Sequence, residues 1–428
     1  MDEEEYLDFE ETVHGLFYDI ICEGPLAFSN MDFHETLKDD VFELFYSEWL
    51  DADIFDEEEF DDIYDIVGEM SESFFELYFP ARSQSLAIAS APVLPLAQVL
   101  TSPTPVLVQM QQKILSLSAL PQPMQKTIEW YQYRHDLMTA SNIWKVFASD
   151  AQRNSLIYEK CKPFASENRS NNWHATGSLQ WGVLYEPISI LLYETIYKTK
   201  IQDFGCIQHP SYSCIGASPD GINVDPSSDR YGRMLEVKNI VNREITGIPK
   251  EEYWIQMQLQ METCDLDDCD FLETRFKEYA SEDDFHKDKD REWKGAILCF
   301  IQRDLINSKP TYKYTPLDRK YDLAQWVAET KDAVKNDGLI LFSTTYWYLD
   351  QLSCVYVQRN KTWFAAALPK ILDTWKTIEK ERETGYEHRA ATKRNTDIFI
   401  STGDGDGTHL IHNLKIPTNV CLVKLDCD

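Results

Sequence analysis

A turn followed by an alternating strand constrains the fold of this chain more than any other feature. The run Ser218-Pro-Asp-Gly221 is a turn signal that puts Asp220 at a tight bend between two short β-like runs. In the second run, 234–240, alternation with a period of two puts Glu236 and Lys238 on one face of the strand. The residues between them then face a core. A carboxylate and an ammonium group are therefore predicted to share one strand face, with a second carboxylate supplied by the turn.

This combination of groups suits the hydrolysis of a phosphodiester. Two carboxylates can bind a hard divalent cation, which lowers the pKa of its water and neutralises charge in the transition state. A nearby lysine can orient the attacking water and adds positive charge. For Glu236 and Lys238 alone, an exposed cross-strand ion pair is the simpler interpretation, because acid-x-Lys recurs elsewhere in the chain. The turn at Asp220 favours a site.

Two helical patterns flank this segment. Upstream, Gly182-x-x-Tyr-Glu186 lies in an apolar helical pattern. A proline follows Glu186, so that helix is expected either to kink or to begin there, and an ordinary surface glutamate is the alternative. Downstream, a helix predicted over 249–263 carries Gln256 and Gln258.

Periodicity predicts the other elements of an α/β body. Helices are predicted over 125–150, 178–199, 249–263 and 361–382, and strands over 212–217, 221–225, 233–240, 296–303, 311–315 and 346–359.

The ordered motifs resemble those of the YqaJ-type viral recombinase family, which includes the phage lambda exonuclease. The run Arg134-His-Asp-Leu-Met-Thr-Ala-Ser141 comes first, and the Glu186 helix, the turn, the strand and the glutamine helix follow in the family's order. The likeness covers about 125–382. It implies an α/β fold of the PD-(D/E)xK restriction-endonuclease type. A central mixed sheet would be flanked by helices, behind a separate acidic N-terminal helical module.

The resemblance also implies a role for each matched residue. The implied cofactor is Mg²⁺ or Mn²⁺. No iron–sulfur cluster is expected, because none of the ten cysteines forms a C-x-x-C pair. Guanidinium and hydroxyl donors suit a terminal phosphate. The implied catalytic residues are Asp220, Glu236, Lys238, Glu186 and Gln256; the metal ligands are Asp220, Glu236, Glu186 and the Val237 backbone carbonyl; the 5′-phosphate and DNA ligands are Arg134, Ser141, Ser218 and Gln258.

The activity that the resemblance implies is that of a metal-dependent DNA exonuclease. It would degrade double-stranded ends 5′→3′ and leave 3′ single-stranded tails for viral recombination and replication. The implied partners are double-stranded DNA ends and a single-strand annealing protein, with homo-oligomerisation by analogy to the ring-forming phage relatives. A large DNA virus is the expected source. The alternatives are an endonuclease or nickase on the same core, or a regulatory protein with a relict nuclease domain.

The first 80 residues differ from the rest of the chain in charge. They hold 27 acidic residues and one basic residue, Lys38, whereas the other 348 hold 45 acidic and 40 basic ones. Apolar residues recur there in steps of three and four, so 1–80 is predicted to form an acidic module of three amphipathic helices. Either it is a charged surface over a modest core, or it docks a partner or shields the chain's own DNA site.

Composition divides the remainder. The proline-bearing stretch 81–124, which has no charged residue from 83 to 112, is predicted to be a linker, 125–383 the nuclease domain and 384–428 a tail. The prolines and polar residues of the linker argue against a membrane span. Scattered cysteines and an acidic start predict an intracellular protein that is not secreted, in the host cytoplasm, a viral factory or the nucleus.

Overall fold

The computed structural model describes residues 3–51, 60–85, 105–165, 178–302, 310–317 and 322–390. The predicted tail lies outside the described residues from position 391 onward. The helices are α1 (Glu3–Glu23), α2 (Phe33–Asp51), α3 (Phe60–Leu77), α4 (Pro105–Ala119), α5 (Ile128–His135), α6 (Ala140–Ile143), α7 (Asp150–Cys161), α8 (Ser178–Tyr197), α9 (Glu251–Cys264), α10 (Glu282–Lys287), α11 (Leu323–Ala333) and α12 (Lys361–Thr384).

A mixed sheet forms the centre of the molecule, with the strand order β10-β9-β11-β8-β7-β6-β3 and β1 paired to β11. Strands β7 and β8 run parallel, and the other described neighbours run antiparallel. A smaller sheet has the order β2-β5-β4. The predicted α/β class, with a mixed sheet flanked by helices, is confirmed. The strands are β1 (Gln84–Ser85), β2 (Met138–Thr139), β3 (Ile201–Gln202), β4 (Ile207–Gln208), β5 (Ile215–Ala217), β6 (Gly221–Asn223), β7 (Met234–Asn239), β8 (Asp268–Glu278), β9 (Lys294–Gln302), β10 (Thr311–Tyr314) and β11 (Leu339–Gln358).

Helices α8 and α9 cover opposite faces of β7. A connection between parallel strands needs a crossover, and α9 provides it between β7 and β8. Leu235 and Val237 pack with Tyr193 of α8. Because side chains alternate along a strand, Glu236 and Lys238 point to the other face, where α9 lies.

The acidic N-terminal segment folds as the predicted helices. Phe9, Val13, Phe17 and Ile21 form a fully or nearly buried stripe on α1 in steps of four residues, which is the helical period. A short 3₁₀ helix over Pro25–Ser29 follows α1. The interior between the helices is aromatic, and this explains how a segment with so much like charge still forms a core.

The acidic module packs against α9 through its 3₁₀ helix and through Arg82, which follows α3. The Trp254 indole N–H donates to the carbonyl oxygen of Arg82 at 2.9 Å, and the Arg82 guanidinium, 2% exposed, donates to the Ser29 carbonyl at 3.1 Å. Ser29 in turn donates from its hydroxyl to Glu251 Oε1 at 3.0 Å. The junction is therefore a buried, hydrogen-bonded contact at the first turn of α9.

The predicted linker 81–124 contains helix α4, which the lack of charge and the prolines of this stretch did not suggest. Met110 of α4 packs over Gly232, where a Cβ would displace the methionine side chain, and the φ of +84° at this position favours glycine. Lys113 pairs with Asp265 at 2.9 Å. Part of this stretch is thus packed on the body of the chain, and the domain boundaries themselves stay a prediction.

Candidate active site

The turn at Asp220 meets strand β7 at its centre. Asp220 lies between β5 and β6, and the backbone N–H of Val237 donates to its Oδ2 at 2.8 Å. Strand β6 pairs antiparallel with β7, which brings the turn alongside the strand. The sequence-predicted juxtaposition of Asp220 with the Glu236 strand is therefore present in the structure.

Glu236 is fully buried and receives hydrogen bonds on both of its carboxylate oxygens. The amide of Gln256 donates to Oε1 at 2.8 Å, and the amide of Gln260 donates to Oε2 at 2.8 Å. The Lys238 ammonium group also pairs with Oε1. A buried carboxylate needs such partners, and these three fix its orientation.

Lys238 lies between the Glu236 carboxylate and helix α9. Its Nζ is 3.3 Å from Gln256 Oε1 and 4.8 Å from the centre of the Tyr253 ring. Burial by itself would lower the pKa of Lys238, but the carboxylates of Glu236 and Asp220 outweigh burial and raise that pKa above its ordinary value. Lys238 is therefore protonated and positively charged at neutral pH.

Asp220 is held in an environment with excess negative charge. Burial raises the pKa of its carboxyl well above the ordinary value, and the carboxylates of Glu236 and Glu186 raise it further. Lys238 and the Val237 N–H act in the opposite sense but do not cancel the effect. An additional cation at this position would offset the excess.

The oxygen donors around Asp220 bear on the divalent metal that the resemblance implies. Within the described ranges, no group of three or more His, Cys, Asp or Glu side chains is gathered closely enough to hold a metal ion. Two carboxylates, Asp220 and Glu236, with the Val237 carbonyl, are nevertheless the hard oxygen donors that Mg²⁺ prefers. They fit a site that uses backbone carbonyl and water oxygens beside two side chains.

Glu186 lies at the margin of this cluster rather than inside it. Its carboxylate pairs with Lys126 at 3.0 Å, and it influences Asp220 through its charge. Pro187 lies within α8, so the helix does not begin there. Lys126, which the motifs did not indicate, has a left-handed backbone with φ of 65° and thus stores local strain beside the site.

A second cluster gathers the three predicted phosphate ligands. The Arg134 guanidinium donates to Ser141 Oγ at 2.7 Å and to Ser218 Oγ at 3.3 Å. The ring of Trp130 lies 4.2 Å from the guanidinium carbon, and its indole N–H donates to Ser218 Oγ at 3.1 Å. The structure therefore brings together Arg134, Ser141 and Ser218, and adds an aromatic wall.

Residues 129–267 match the family model of the YqaJ-like viral recombinase domain. This stretch contains both clusters, from Arg134 to Gln260. Residues 129–267 are therefore similar to a YqaJ-like viral recombinase domain, and we call them the YqaJ domain.

The chain is also similar to a curated viral protein. An uncharacterised protein of Acanthamoeba polyphaga mimivirus is 27% identical over 300 residues, which is 60% of this chain and 53% of that protein. The match thus spans about half the length of this curated relative.

Solved structures with some similarity are exonucleases. An alkaline exonuclease from Laribacter hongkongensis is 20% identical, with a TM-score of 0.37, over 61% of this chain and 97% of that one. A complex of the same enzyme with dAMP has a TM-score of 0.36 over the same shares at 20% identity. A phage-related exonuclease from Haemophilus somnus is 14% identical, with a TM-score of 0.30, over 59% and 96%.

Gln258 is not part of either cluster in the YqaJ domain. Its amide donates to the Gln358 carbonyl at 2.9 Å, and its Oε1 accepts from the Asn360 N–H at 2.6 Å. Both ends of this buried side chain are therefore occupied by backbone groups. The structure gives Gln258 a packing role and does not support the predicted contact with DNA.

Gln260 is a residue of the YqaJ domain that the sequence motifs did not indicate. Besides its bond to Glu236, its amide lies 3.4 Å from the Ser218 carbonyl oxygen. The carboxylate cluster and the phosphate-ligand cluster are thus joined through one amide group. The spacing could have revealed it, because Gln260 follows Gln256 by four residues and shares its helix face.

Trp130 could have been found in the same way. It precedes Arg134 by four residues on α5, so the two side chains lie on one face of that helix.

No helix among the described residues of the chain has the length and apolar character that a membrane crossing requires.

Proposed function

We propose that the chain is a metal-dependent DNA exonuclease that degrades double-stranded ends 5′→3′ and leaves 3′ single-stranded tails. The observation that carries this proposal is the link between the two clusters. Ser218 belongs to the phosphate-ligand cluster, and Asp220 follows it by two residues, so their Cα atoms are at most about 7 Å apart. A terminal phosphate held at Ser218 would leave a neighbouring phosphodiester within reach of the carboxylates.

The residues of the chain divide the chemistry between binding and charge stabilisation. The Arg134 guanidinium and the Ser141 and Ser218 hydroxyls would bind the terminal 5′-phosphate through charge-assisted hydrogen bonds. Lys238, protonated throughout the working range, would orient the attacking water and stabilise the negative charge that develops on the phosphoryl oxygens.

Mg²⁺ or Mn²⁺ would be held by Asp220, Glu236 and the Val237 carbonyl, with Glu186 nearby, and would supply Lewis-acid charge and a water of lowered pKa. Gln256 and Gln260 hold the Glu236 carboxylate in one orientation, so its oxygens need no rearrangement when substrate arrives. Glu236 is fully buried and Asp220 is half-buried, and this strengthens the charge interactions at this position.

The wider setting is proposed from the family. A YqaJ-like viral recombinase domain fits an intracellular protein of a large DNA virus whose 3′ tails feed recombination and replication. A single-strand annealing protein would be its partner, and a homo-oligomer would enclose the DNA. An endonuclease or nickase on the same core is the competing activity. Unlike the proposed exonuclease, it does not need a DNA end.

The test compares linear duplexes that carry 5′-phosphate or 5′-hydroxyl ends, in the presence of Mg²⁺ and again with EDTA. We expect faster loss of the phosphorylated strand, no loss with EDTA, and no loss in Lys238→Ala. Arg134→Ala should remove the preference for phosphate while some cleavage remains. Arg153→Ala is the matched control, because this arginine pairs with Asp373 on α12 and belongs to neither cluster.

Closed circular DNA decides between the alternatives. Cleavage of circles at the rate of linear DNA would refute the exonuclease and favour the endonuclease. DNA binding without any cleavage, in Mg²⁺ and in Mn²⁺, would favour a relict nuclease domain.

A further inference from the structure

A groove of about 440 Å³ lies between α1 and α3 of the acidic module, apart from both clusters of the YqaJ domain. Its walls are apolar and exposed: Leu7 is 57% exposed and Leu77 is 69% exposed, and Tyr18 and Tyr78 stand beside them. Scattered exposed apolar residues are ordinary on a protein surface, but a contiguous group that lines a concave surface indicates an interaction site.

The floor of the groove is ordered by polar contacts beneath it. The His14 ring lies 5.5 Å from the Phe74 ring and 5.7 Å from the Tyr78 ring, and its Nε2 is 3.0 Å from the Met70 carbonyl oxygen. Ser73 donates to Glu10 at 3.1 Å across the two helices. The groove is therefore preformed by helix–helix contacts and needs no rearrangement to accept a ligand.

Gly15 gives the groove its depth. It lies in the middle of α1, where glycine destabilises a helix relative to alanine. No neighbouring atom requires it, since a Cβ built at this position would meet nothing within 4 Å. The missing side chain leaves the helix backbone open to close approach from outside, which is the use of glycine where another chain must come near.

The charge around the groove selects the kind of partner. Helices α1 and α3 contain 14 Asp and Glu residues and no Lys or Arg in their sequences. Glu10 and Glu11 stand on the rim itself. The same acidic surface of a second copy would be repelled here, and so would a nucleic acid. The complementary ligand is apolar on one face and basic on the other.

We infer that the groove between α1 and α3 docks a basic amphipathic helix of a partner protein. The apolar face of such a helix would cover Leu7, Tyr18 and Leu77 and approach the α1 backbone at Gly15. Its Lys and Arg side chains would flank the groove and meet the acidic rim, which is the helix-in-groove mode of peptide recognition. This docking does not depend on nuclease activity and goes beyond the proposed function.

The test uses the full chain and a fluorescent synthetic helix of about 18 residues, built from Leu and Lys at helical spacing. Two further peptides separate the contributions: one has the same composition in scrambled order, and the other has Glu in place of Lys. We expect the amphipathic basic peptide to raise fluorescence anisotropy at micromolar concentration. The scrambled peptide should bind at least tenfold more weakly, and the acidic peptide should not bind.

Variants assign the binding to the groove. Leu7→Ser with Leu77→Ser removes apolar surface without changing charge, and Gly15→Leu fills the groove at an exposed helix position where folding tolerates a side chain. Each should weaken the amphipathic peptide at least tenfold. Leu44→Ser is the matched control, because Leu44 is 52% exposed on α2 of the same module and does not line the groove.

Circular dichroism and thermal unfolding keep the result interpretable, since all four substitutions lie at exposed positions and Gly15→Leu should favour the helix. Equal binding of the amphipathic and scrambled peptides would reduce the effect to charge attraction and overturn the proposal. So would unchanged affinity in Gly15→Leu and in the double variant.

Discussion

Gln256, Gln258 and Gln260 show how helix geometry separates the roles of identical side chains. Residues four apart on a helix point within about 40° of each other, whereas residues two apart point about 160° apart. Gln256 and Gln260 therefore both contact Glu236, and Gln258 contacts the backbone at the end of β11. The motif Tyr-x-x-Gln-x-Gln indicated the helix correctly, but the family pattern pointed to the second glutamine instead of the third.

Replacing Gln260 by methionine should slow DNA cleavage. The change keeps the side-chain volume but removes the amide that donates to Glu236 and contacts Ser218. A hydrogen bond to a charged group contributes about 1.5–3 kcal/mol, so the turnover rate should fall about tenfold to a hundredfold. Cleavage kinetics under saturating DNA measure this effect, and Gln260→Glu should not restore the rate, because it places a second carboxylate against Glu236.

Replacing Gln258 by methionine should have the opposite signature. Two buried backbone groups, the Gln358 carbonyl and the Asn360 N–H, lose their partner. The free energy of unfolding should fall by about 2–4 kcal/mol, while the rate per folded molecule stays unchanged. Urea unfolding combined with active-site titration separates the two quantities. A rate loss without loss of stability would return Gln258 to the candidate DNA ligands.

At the scale of elements, the central strand β8 is the main structure that sequence patterns did not predict. Its eleven residues carry several charges, which argue against burial when the sequence is considered alone. In the structure, Asp270 and Glu273 are buried because arginines from other segments neutralise them: Arg230 and Arg233 pair with Asp270, and Arg243 pairs with Glu273. The compensating charges are distant in sequence, so no local pattern contains them.

The elements with clean periodicity were predicted well, and those whose form depends on tertiary contacts were not. Strand β7 and helices α8, α9 and α12 lie close to their predicted bounds. The helix predicted over 125–150 is instead α5, the short strand β2 and α6, since Met138 and Thr139 pair with β5. Helix α4 has too little charge contrast for an amphipathic pattern, and contacts such as Met110 with Gly232 position it.

The Asp270 network gives a prediction at this scale. Asp270→Asn leaves the guanidinium groups of Arg230 and Arg233 without their buried counter-charge. Breaking a buried pair on one side is strongly destabilising, so we expect the free energy of unfolding to fall by about 3–5 kcal/mol. Asp373→Asn is the control, because this aspartate is 71% exposed beside Arg153 and its pair should contribute less than about 1 kcal/mol. Equal urea midpoints for the two variants would contradict the prediction.

At the scale of the whole molecule, the acidic helices and the YqaJ domain share a buried junction. Arg82, His34 and Ser29 form hydrogen bonds there, and Trp254 of α9 closes it. Removing residues 1–80 would uncover Trp254 as well as remove charge. Whether the module shields the DNA site is therefore better tested by neutralising exposed acids of α1 and α3 than by truncation.

The junction should make stability depend on pH through His34. Its Nε2 accepts a hydrogen bond from the backbone N–H of Arg82 at 2.9 Å. Burial, together with the nearby Arg82 guanidinium, lowers the pKa of His34 from 6.5 to about 4. Between pH 6.5 and about pH 4, the unfolded chain protonates His34 more readily than the folded chain does. The stability from neutral His34 is thus complete above pH 6.5 and is lost as the pH falls toward 4.

Thermal unfolding between pH 7.5 and pH 4.5 measures this contribution. The many carboxylates of the module titrate in the same range, so the difference between wild type and His34→Gln carries the information. We expect the unfolding temperature to fall less between pH 7.5 and pH 4.5 in His34→Gln than in the wild type. His286→Gln, at a 54% exposed position, should follow the wild type. Identical slopes for His34→Gln and wild type would remove His34 as the cause.

Helix α9 is fixed near its first turn by a hydrogen bond from Trp254 to the Arg82 carbonyl. Gln256 and Gln260 of the same helix donate to Glu236. On this 14-residue helix, Gln256 and Gln260 follow Trp254 by two and six residues, which is within about 9 Å along the helix axis. The acidic module, which contains none of the candidate catalytic residues, thus contacts the same helix that carries the two amides.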